Sequence, residues 1–231
     1  MNIALVVAAG SGSRMQNLDK PKQFLLIKGK PLFIFSLEAF QTNDKIDAIV
    51  VVTSEDYLDK VKNWCDQFAI SKCKAVVKGG KTRQESVYNG LLKVKELAKN
   101  IDDDIVLIHD AARPLVSQEI IDFNVACAHV RGACTTVITA SDTIIRSLND
   151  TTINDVPNRK ELYQSQTPQS FRISLILKAH EYAKNNKLLD VTDDAQLVLS
   201  CGHEVHLVKG EKTNFKITTA DDLVILSALL K

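Results

Sequence analysis

Short apolar runs rich in β-branched residues recur along this chain, and helical patterns separate most of them. The runs lie at residues 3–9, 48–53, 75–78, 105–109, 135–140 and 204–208. Alternation of strands and helices is typical of a mostly parallel sheet with helices on both faces. With 231 residues, 45% of them hydrophobic, the chain is large enough for one substantial core. We therefore predict a single three-layer, Rossmann-like α/β domain over residues 1–231.

Charge and cysteine content exclude several classes of protein. Lys and Arg total 29 against 28 Asp and Glu, so no overall positive charge indicates binding to nucleic acid or to an anionic membrane. The 5 cysteines are odd in number and lack C-x-x-C spacing, which argues against a disulfide framework and a zinc site. Neither a signal peptide nor a membrane span is evident, so we expect a cytoplasmic protein.

The first predicted strand runs into a loop of small residues that is followed by two cations. Residues 10–13 are Gly-Ser-Gly-Ser, and Arg14 and Lys22 come next. Backbone amides in such a loop can approach an anion, and the two cations suit an extended polyphosphate. The alternative is a simple chain reversal. The loop lacks the P-loop pattern and the third glycine of the dinucleotide fingerprint, which argues against a Rossmann oxidoreductase.

Two later loops also follow predicted strands. Residues 78–86 read KGGKTRQES, and the strand at 105–109 continues into Asp110 and then Arg113. Ligands of open α/β sheets bind at the carboxyl ends of the strands, so these loops could bracket one nucleotide. A carboxylate beside phosphates implies Mg²⁺ or a ribose hydroxyl between them. Alternatively, Asp110 caps a helix and pairs with Arg113.

Residues 141–170 are rich in Thr, Asn and Pro and are too polar to form a hydrophobic core of their own. We interpret them as an extended, hairpin-like β-arm that packs against a second copy of the chain, which predicts a homodimer.

Two further features of the sequence each have two interpretations. Residues 192–195 could cap a helix or serve a site, and Lys216 is either a surface residue or a cation aimed into the pocket.

Seven motifs in order resemble one family. They are AAGSGSRM at 8–15, PKQF at 21–24, the glycine pair at 79–80 with Arg83 and Ser86, HDAARP at 109–114, QTPQ at 166–169, TDDA at 192–195 and NFKIT at 214–218. The family is that of the 2-C-methyl-D-erythritol 4-phosphate cytidylyltransferases and the closely related ribitol-5-phosphate cytidylyltransferases. The resemblance covers nearly the whole chain and implies a nucleotidyltransferase fold.

The resemblance implies a reaction and a role for each matching residue. A polyol phosphate would attack the α-phosphorus of CTP and expel pyrophosphate, with Mg²⁺ bound to the triphosphate. The catalytic cations would be Arg14, Lys22, Arg159 and Lys216. The nucleotide would be bound by Ala8, Ala9, Gly10, Gly80, Ser86 and Ala111. The acceptor would be bound by Asp110, Arg113, Thr143 and Thr167, partly from the neighbouring subunit, and Asp110 would also lie by the metal.

Different motifs of the chain favour different acceptors. HDAARP and TDDA favour the methylerythritol branch, which we take as the prediction, whereas residues 158–171 are closer to the ribitol branch. Lys81 stands where some relatives carry an acidic residue next to the base. A non-catalytic nucleotide-binding protein is the rival from another class, and the complete set of four cations argues against it.

Overall fold

The computed structural model describes residues 1–10, 20–188, 191 and 193–230. Its strands are β1 (Asn2–Ala8), β2 (Leu26–Ile27), β3 (Lys30–Pro31), β4 (Ala48–Thr53), β5 (Cys73–Lys78), β6 (Ile105–Asp110), β7 (Ala133–Thr139), β8 (Tyr163–Arg172) and β9 (His206–Lys209). Its helices are α1 (Leu32–Gln41), α2 (Leu58–Gln67), α3 (Arg83–Leu97), α4 (Gln118–Arg131), α5 (Ile173–Asn185), α6 (Asp194–Ser200) and α7 (Ala220–Leu229).

Seven strands form one sheet in the order β5-β4-β1-β6-β8-β7-β9, and β2 pairs with β3 separately. Strand β1 pairs in parallel with β4 and β6, β4 with β5, and β7 with β9. Only β8 runs against its neighbours in this sheet, β6 and β7. The predicted mostly parallel α/β fold is therefore confirmed, with an antiparallel strand inserted near its centre.

Helices cover both faces of the sheet because strands β1, β4 and β6 are mostly apolar on both sides. Helices α1, α2 and α4 contribute to the core on one face, and α3, α5 and α6 to the core on the other. Close packing at α3 depends on Gly90, where an added Cβ would lie 2.5 Å from Leu5 Cδ1. Among the described residues, no helix is long and apolar enough to cross a membrane.

The boundary of the predicted arm at residue 170 is wrong, because residues 163–172 form β8 inside the sheet. This strand carries polar side chains that have buried partners. Ser170 Oγ donates to Asn124 Oδ1 of α4 at 2.9 Å, and Gln169 Nε2 donates to Asp193 Oδ1 at 2.9 Å. A buried polar group is tolerated where it is hydrogen-bonded, so the strand is polar and internal at once.

Residues 141–162 remain as the arm, and nearly all of them are exposed. One isolated β-bridge joins Arg146 to Asp155. A turn follows Asn149, whose Oδ1 accepts hydrogen bonds from the backbone of Thr151 at 3.1 Å and of Thr152 at 3.0 Å. The arm also exposes large apolar side chains, namely Ile145, Leu148, Ile153 and Val156. Dimerisation through this arm stays a prediction.

Candidate active site

The carboxyl ends of β1, β5 and β6 open onto a pocket of ≈ 370 Å³. Parallel strands place their carboxyl ends at one edge of the sheet, which brings three separate loops together. Nine of the predicted site residues line this pocket: Ala8, Ala9, Gly10, Lys22, Gly80, Ser86, Asp110, Ala111 and Lys216. The structure therefore brings these nine residues together, and their roles stay predictions.

Gln23 binds the backbone at the carboxyl end of β1. Gln23 Nε2 donates to Ala8 O at 2.7 Å and to Gly10 O at 2.8 Å, and these bonds fix the path of the backbone. Among the described residues, no atom lies within 4 Å of a Cβ added at Gly10. The predicted catalytic Arg14 lies outside the described residues, and its role stays a prediction.

Lys22 is a buried cation at the wall of the pocket, with only 8% of its surface exposed. Its Nζ donates to Ile217 O at 2.7 Å, which ties the loop after β1 to the segment that carries Lys216. The short 3₁₀ turn that starts at Lys22 is anchored by Phe24, whose ring stacks on Tyr57 at 4.3 Å between centroids. The ammonium is therefore held by rigid surroundings.

The glycine loop before α3 is organised by Ser86. The backbone N–H of Gly80 donates to Ser86 Oγ at 3.0 Å, and this hydroxyl donates to Thr82 O at 2.8 Å. Thr82 also caps α3, because its Oγ1 accepts from the N–H of Glu85 at 3.1 Å. The loop approaches the first one closely, since a Cβ added at Gly79 would lie 2.6 Å from that of Ala9.

Asp110 ends β6 between two cations. Its Oδ2 lies 2.6 Å from Lys216 Nζ, and its Oδ1 lies 3.4 Å from Arg83 Nε. Burial by itself would raise the pKa of Asp110, but the charges of Arg83 and Lys216 outweigh it and hold the pKa well below its usual value. Asp110 is therefore an anion at neutral pH, and it fixes one end of the Lys216 side chain.

Arg113 and Thr167 are not among the lining residues of the pocket, although both touch the segments that form it. Arg113 Nη1 donates to Asn214 O at 2.8 Å, and Nη2 donates to Ser165 O at 3.3 Å. Thr167 Oγ1 accepts from the N–H of Asp110 at 3.1 Å. In this chain both residues hold the site together, and their contact with an acceptor stays a prediction.

Thr143 and Arg159 lie in the exposed arm and are not among the lining residues of the pocket either. Arg159 Nη1 donates to Ser141 O at 3.0 Å within the arm. The structure of one chain therefore does not bring these two predicted residues to the pocket. Their roles depend on the predicted second subunit.

The described residues contain no group of three or more His, Cys, Asp or Glu side chains that could hold a metal ion. Asp110 was the candidate ligand, and each of its carboxylate oxygens faces a cation. Mg²⁺ commonly binds through one or two carboxylates together with substrate phosphates. A single carboxylate here fits an ion that is bound mainly by a triphosphate.

Three polar residues of the site had no role in the sequence analysis, namely the buried Gln23 and Asp194 and the partly buried Arg83. All three stand inside the recognised motifs, which was the available signal. Arg83 Nη1 lies 2.8 Å from Asp194 Oδ2, so a buried carboxylate of α6 stands behind the pocket. The acidic start of α6 had been interpreted as a helix cap or a functional feature. The cap is present, since Asp193 Oδ1 accepts from the N–H of Ala195 at 2.9 Å, and a functional part for these residues stays a prediction.

Comparison with known proteins agrees with this arrangement. The model of the IspD family, 2-C-methyl-D-erythritol 4-phosphate cytidylyltransferase, matches residues 2–231. The chain belongs to this family. It is 42% identical over 232 residues to the 2-C-methyl-D-erythritol 4-phosphate cytidylyltransferase of Clostridium botulinum, covering 100% of this chain and 97% of that protein. It is 40% identical over 230 residues to the ribitol-5-phosphate cytidylyltransferase of Vibrio parahaemolyticus, covering 100% and 96%.

Solved structures of the family share the fold. The 2-C-methyl-D-erythritol 4-phosphate cytidylyltransferase of Thermus thermophilus has a TM-score of 0.77 at 33% identity, covering 99% of this chain and 98% of that one. The 4-diphosphocytidyl-2C-methyl-D-erythritol synthase of Anaerococcus prevotii has a TM-score of 0.83 at 28% identity, covering 100% and 96%. As a member of the IspD family, the chain is a CTP-dependent cytidylyltransferase. Relatives of similar identity carry both acceptor names.

Proposed function

We propose that the chain joins CTP to 2-C-methyl-D-erythritol 4-phosphate and releases pyrophosphate. The family description and the relative from Clostridium botulinum support this acceptor, as do HDAARP at 109–114 and TDDA at 192–195. Ribitol 5-phosphate is the second candidate, favoured by the relative from Vibrio parahaemolyticus and by residues 158–171. The observation that carries the transfer itself is the pair Lys22 and Lys216 on the wall of one pocket.

In the proposed reaction, an oxygen of the acceptor phosphate forms a bond to the α-phosphorus of CTP. The bond from that phosphorus to the bridging oxygen breaks, and pyrophosphate leaves with the electron pair. A phosphate monoester is largely a dianion at neutral pH, so the nucleophile needs no side chain to remove a proton. Such transfers depend on positioning and on charge stabilisation, which is what fixed ammonium groups provide.

Each part of the described pocket has a place in this proposal. Gly10 and Gly80 line the pocket without side chains and would place their backbone against the nucleotide. Lys22 and Lys216 would neutralise charge that develops on the transferred phosphoryl group and on the leaving group. Mg²⁺, carried on the triphosphate oxygens, would supply further neutralisation of the leaving pyrophosphate.

An assay of pyrophosphate release tests the proposal. The enzyme is incubated with CTP and Mg²⁺, and 2-C-methyl-D-erythritol 4-phosphate and ribitol 5-phosphate are added in separate reactions. We expect kcat/KM to be higher with the methylerythritol acceptor by at least about tenfold, the usual scale on which a polar site discriminates between related polyols. Higher kcat/KM with ribitol 5-phosphate would reverse the assignment of the acceptor, and no turnover with either would contradict the proposal.

We propose further that the arm completes the pocket of a second subunit. Residues 141–162 expose apolar side chains that a partner would cover, and Thr143 and Arg159 do not line the pocket of their own chain. The guanidinium of Arg159 can bind the acceptor phosphate in a bidentate manner. The active unit would then be a homodimer with two shared sites.

Mixing two inactive variants tests the shared site. In a heterodimer of Lys22→Ala and Arg159→Ala chains, one site carries both changes and the other carries neither. Random pairing at equal amounts makes half of the dimers heterodimers, so we expect recovery of about a quarter of wild-type activity per chain. Native mass spectrometry of differently tagged chains verifies the mixing, and activity is measured on the same sample.

The matched control pairs Lys22→Ala with Lys216→Met. Both residues line the pocket of the same chain, so every site in that heterodimer is damaged and activity should not recover. Recovery in this control would mean that Lys22 and Lys216 act in different sites. Absence of recovery with Arg159→Ala, despite verified heterodimers, would place Arg159 in its own subunit.

A further inference from the structure

We propose that Arg83 is a positioning residue for the cytidylyl transfer. It bridges Asp110 to the buried Asp194 and thereby fixes the ion pair between Asp110 and Lys216 on the wall of the pocket. The inference rests on the proposed function, because it assigns Lys216 a part in the reaction. Arg83 would act through Asp110 and Lys216, whether or not it touches a substrate.

Arg83 is placed to join two elements that are far apart in sequence. It is the first residue of α3, and α3 begins at a position fixed by the cap from Thr82. Its Nε lies 3.4 Å from Asp110 Oδ1 at the end of β6, and its Nη1 lies 2.8 Å from Asp194 Oδ2 at the start of α6. A planar guanidinium can face two carboxylates at once in fixed directions, which a lysine ammonium cannot reproduce.

Asp194 is a firm anchor for this bridge. Only 1% of its surface is exposed, and its N–H donates to Gln169 Oε1 of β8 at 3.0 Å. Its Oδ1 lies 3.7 Å from His180 Nε2 of α5, and the His180 ring stacks on Tyr88 of α3 at 5.7 Å between centroids. Asp194 is not among the lining residues of the pocket, and Arg83, which is one of them, is its ion-pair partner there.

The charges explain why the bridge affects Lys216. Burial by itself would lower the pKa of Arg83, but Asp194 and Asp110 raise it above its usual value, so the guanidinium stays charged between them. Asp110 has one oxygen toward Arg83 and the other toward Lys216. Among the described residues, Arg83 is the one cation that pairs with the first oxygen, so its removal leaves that oxygen without an ion-pair partner. The carboxylate could then rotate and draw the Lys216 ammonium out of place.

A double-mutant cycle separates positioning from simple stabilisation. The proteins are wild type, Arg83→Gln, Asp194→Asn and the variant with both changes, with exposed Arg131→Gln as the matched control for charge. Arg83→Gln leaves Asp194 buried without its cation, so we expect Tm to fall by about 10 °C. The double variant should regain most of that loss, because neither charge remains. Arg131→Gln should leave Tm and kcat close to wild type.

Activity gives the second readout, measured as pyrophosphate release per folded chain with the better acceptor. We expect kcat of the double variant to stay about 10- to 100-fold below wild type. A displacement of a charged group by about 1 Å has an effect of this size. Arg83 itself lines the pocket, so KM for CTP is the check on direct binding: if Arg83 only positions Asp110 and Lys216, KM for CTP should change less than about threefold. A KM effect without a kcat effect would indicate that Arg83 binds nucleotide instead.

Two results would overturn the role of Arg83. If the double variant regains both Tm and kcat, the bridge only stabilises the fold. If the changes in Tm add without coupling, Arg83 and Asp194 do not form the bridge in solution. A wild-type chain that turns over neither acceptor would overturn the proposed function and this role with it, so the two failures are distinguishable.

Discussion

Replacing Lys22 by alanine is expected to lower kcat by at least about a hundredfold, the scale on which one fixed charge stabiliser contributes to a transition state. The buried ammonium stands at the wall of the pocket beside the nucleotide loops, held by Ile217 O and by the turn anchored on Phe24. Alanine removes the charge and leaves a space that water would fill. Initial rates of pyrophosphate release, compared at saturating CTP, measure the effect.

The fold should survive this change. A hydrogen bond from a charged group contributes about 1.5–3 kcal/mol, which is less than the roughly 5–15 kcal/mol that stabilises a domain. Thermal unfolding followed by circular dichroism checks this point. Exposed Lys20, two residues earlier, is the matched control, and Lys20→Ala should keep kcat within about twofold. A near-normal rate for Lys22→Ala would remove Lys22 from the catalytic set.

The order of the fold could be predicted because most strands are apolar on both faces. Residues 48–53 were predicted as a strand and form β4, all of it buried. Such a run can be satisfied only inside a sheet with helices on both sides. The helical segments between the runs fix parallel connections, and these place the loops at one edge. In residues 2–110, the apolar runs of the sequence coincide with the parallel strands of the sheet.

Strand β8 could not be predicted by the same argument. Its sequence from Tyr163 to Arg172 is mostly polar, which is typical of an exposed segment, yet residues 166–171 are buried. Burial is possible because side chains from other elements, such as Asn124 and Asp193, complete its hydrogen bonds. Those partners are fixed only in the folded chain. A polar strand with distant partners therefore resembles an arm in sequence.

The candidate site likewise has residues that the sequence could predict and contacts that it could not. Residues such as Gly10, Gly80 and Asp110 were identified because they follow strands directly, and strand ends converge in this fold. The bridge from Arg83 to Asp194 joins a helix start to another helix start, and no local spacing encodes it. Motif membership marked Arg83 as notable without giving it a partner. The structure gives Arg83 two partners, Asp110 and Asp194.

Replacing Lys216 by methionine is expected to lower kcat by at least about a hundredfold, because methionine keeps much of the length of the side chain and removes its charge. The Lys216 ammonium lies 2.6 Å from Asp110 Oδ2, on the wall of the pocket. Asp110 is buried but keeps Arg83 as a neighbour, so loss of the pair should lower the free energy of unfolding by about 1–3 kcal/mol, less than the roughly 5–15 kcal/mol that stabilises a domain. The result expected is an enzyme that folds normally and reacts slowly.

Lys212 lies in the same loop and is exposed, so Lys212→Met is the matched control for Lys216→Met. It should retain wild-type kcat, since its charge is not at the pocket. Lys216→Arg separates the effect of charge from that of position. It keeps a cation, but the planar guanidinium cannot occupy the place of a compact ammonium, so kcat should recover only in part. If Lys216→Met reacts at a rate near that of the wild type, the ammonium serves only its ion pair with Asp110, and the alternative of a surface lysine is correct.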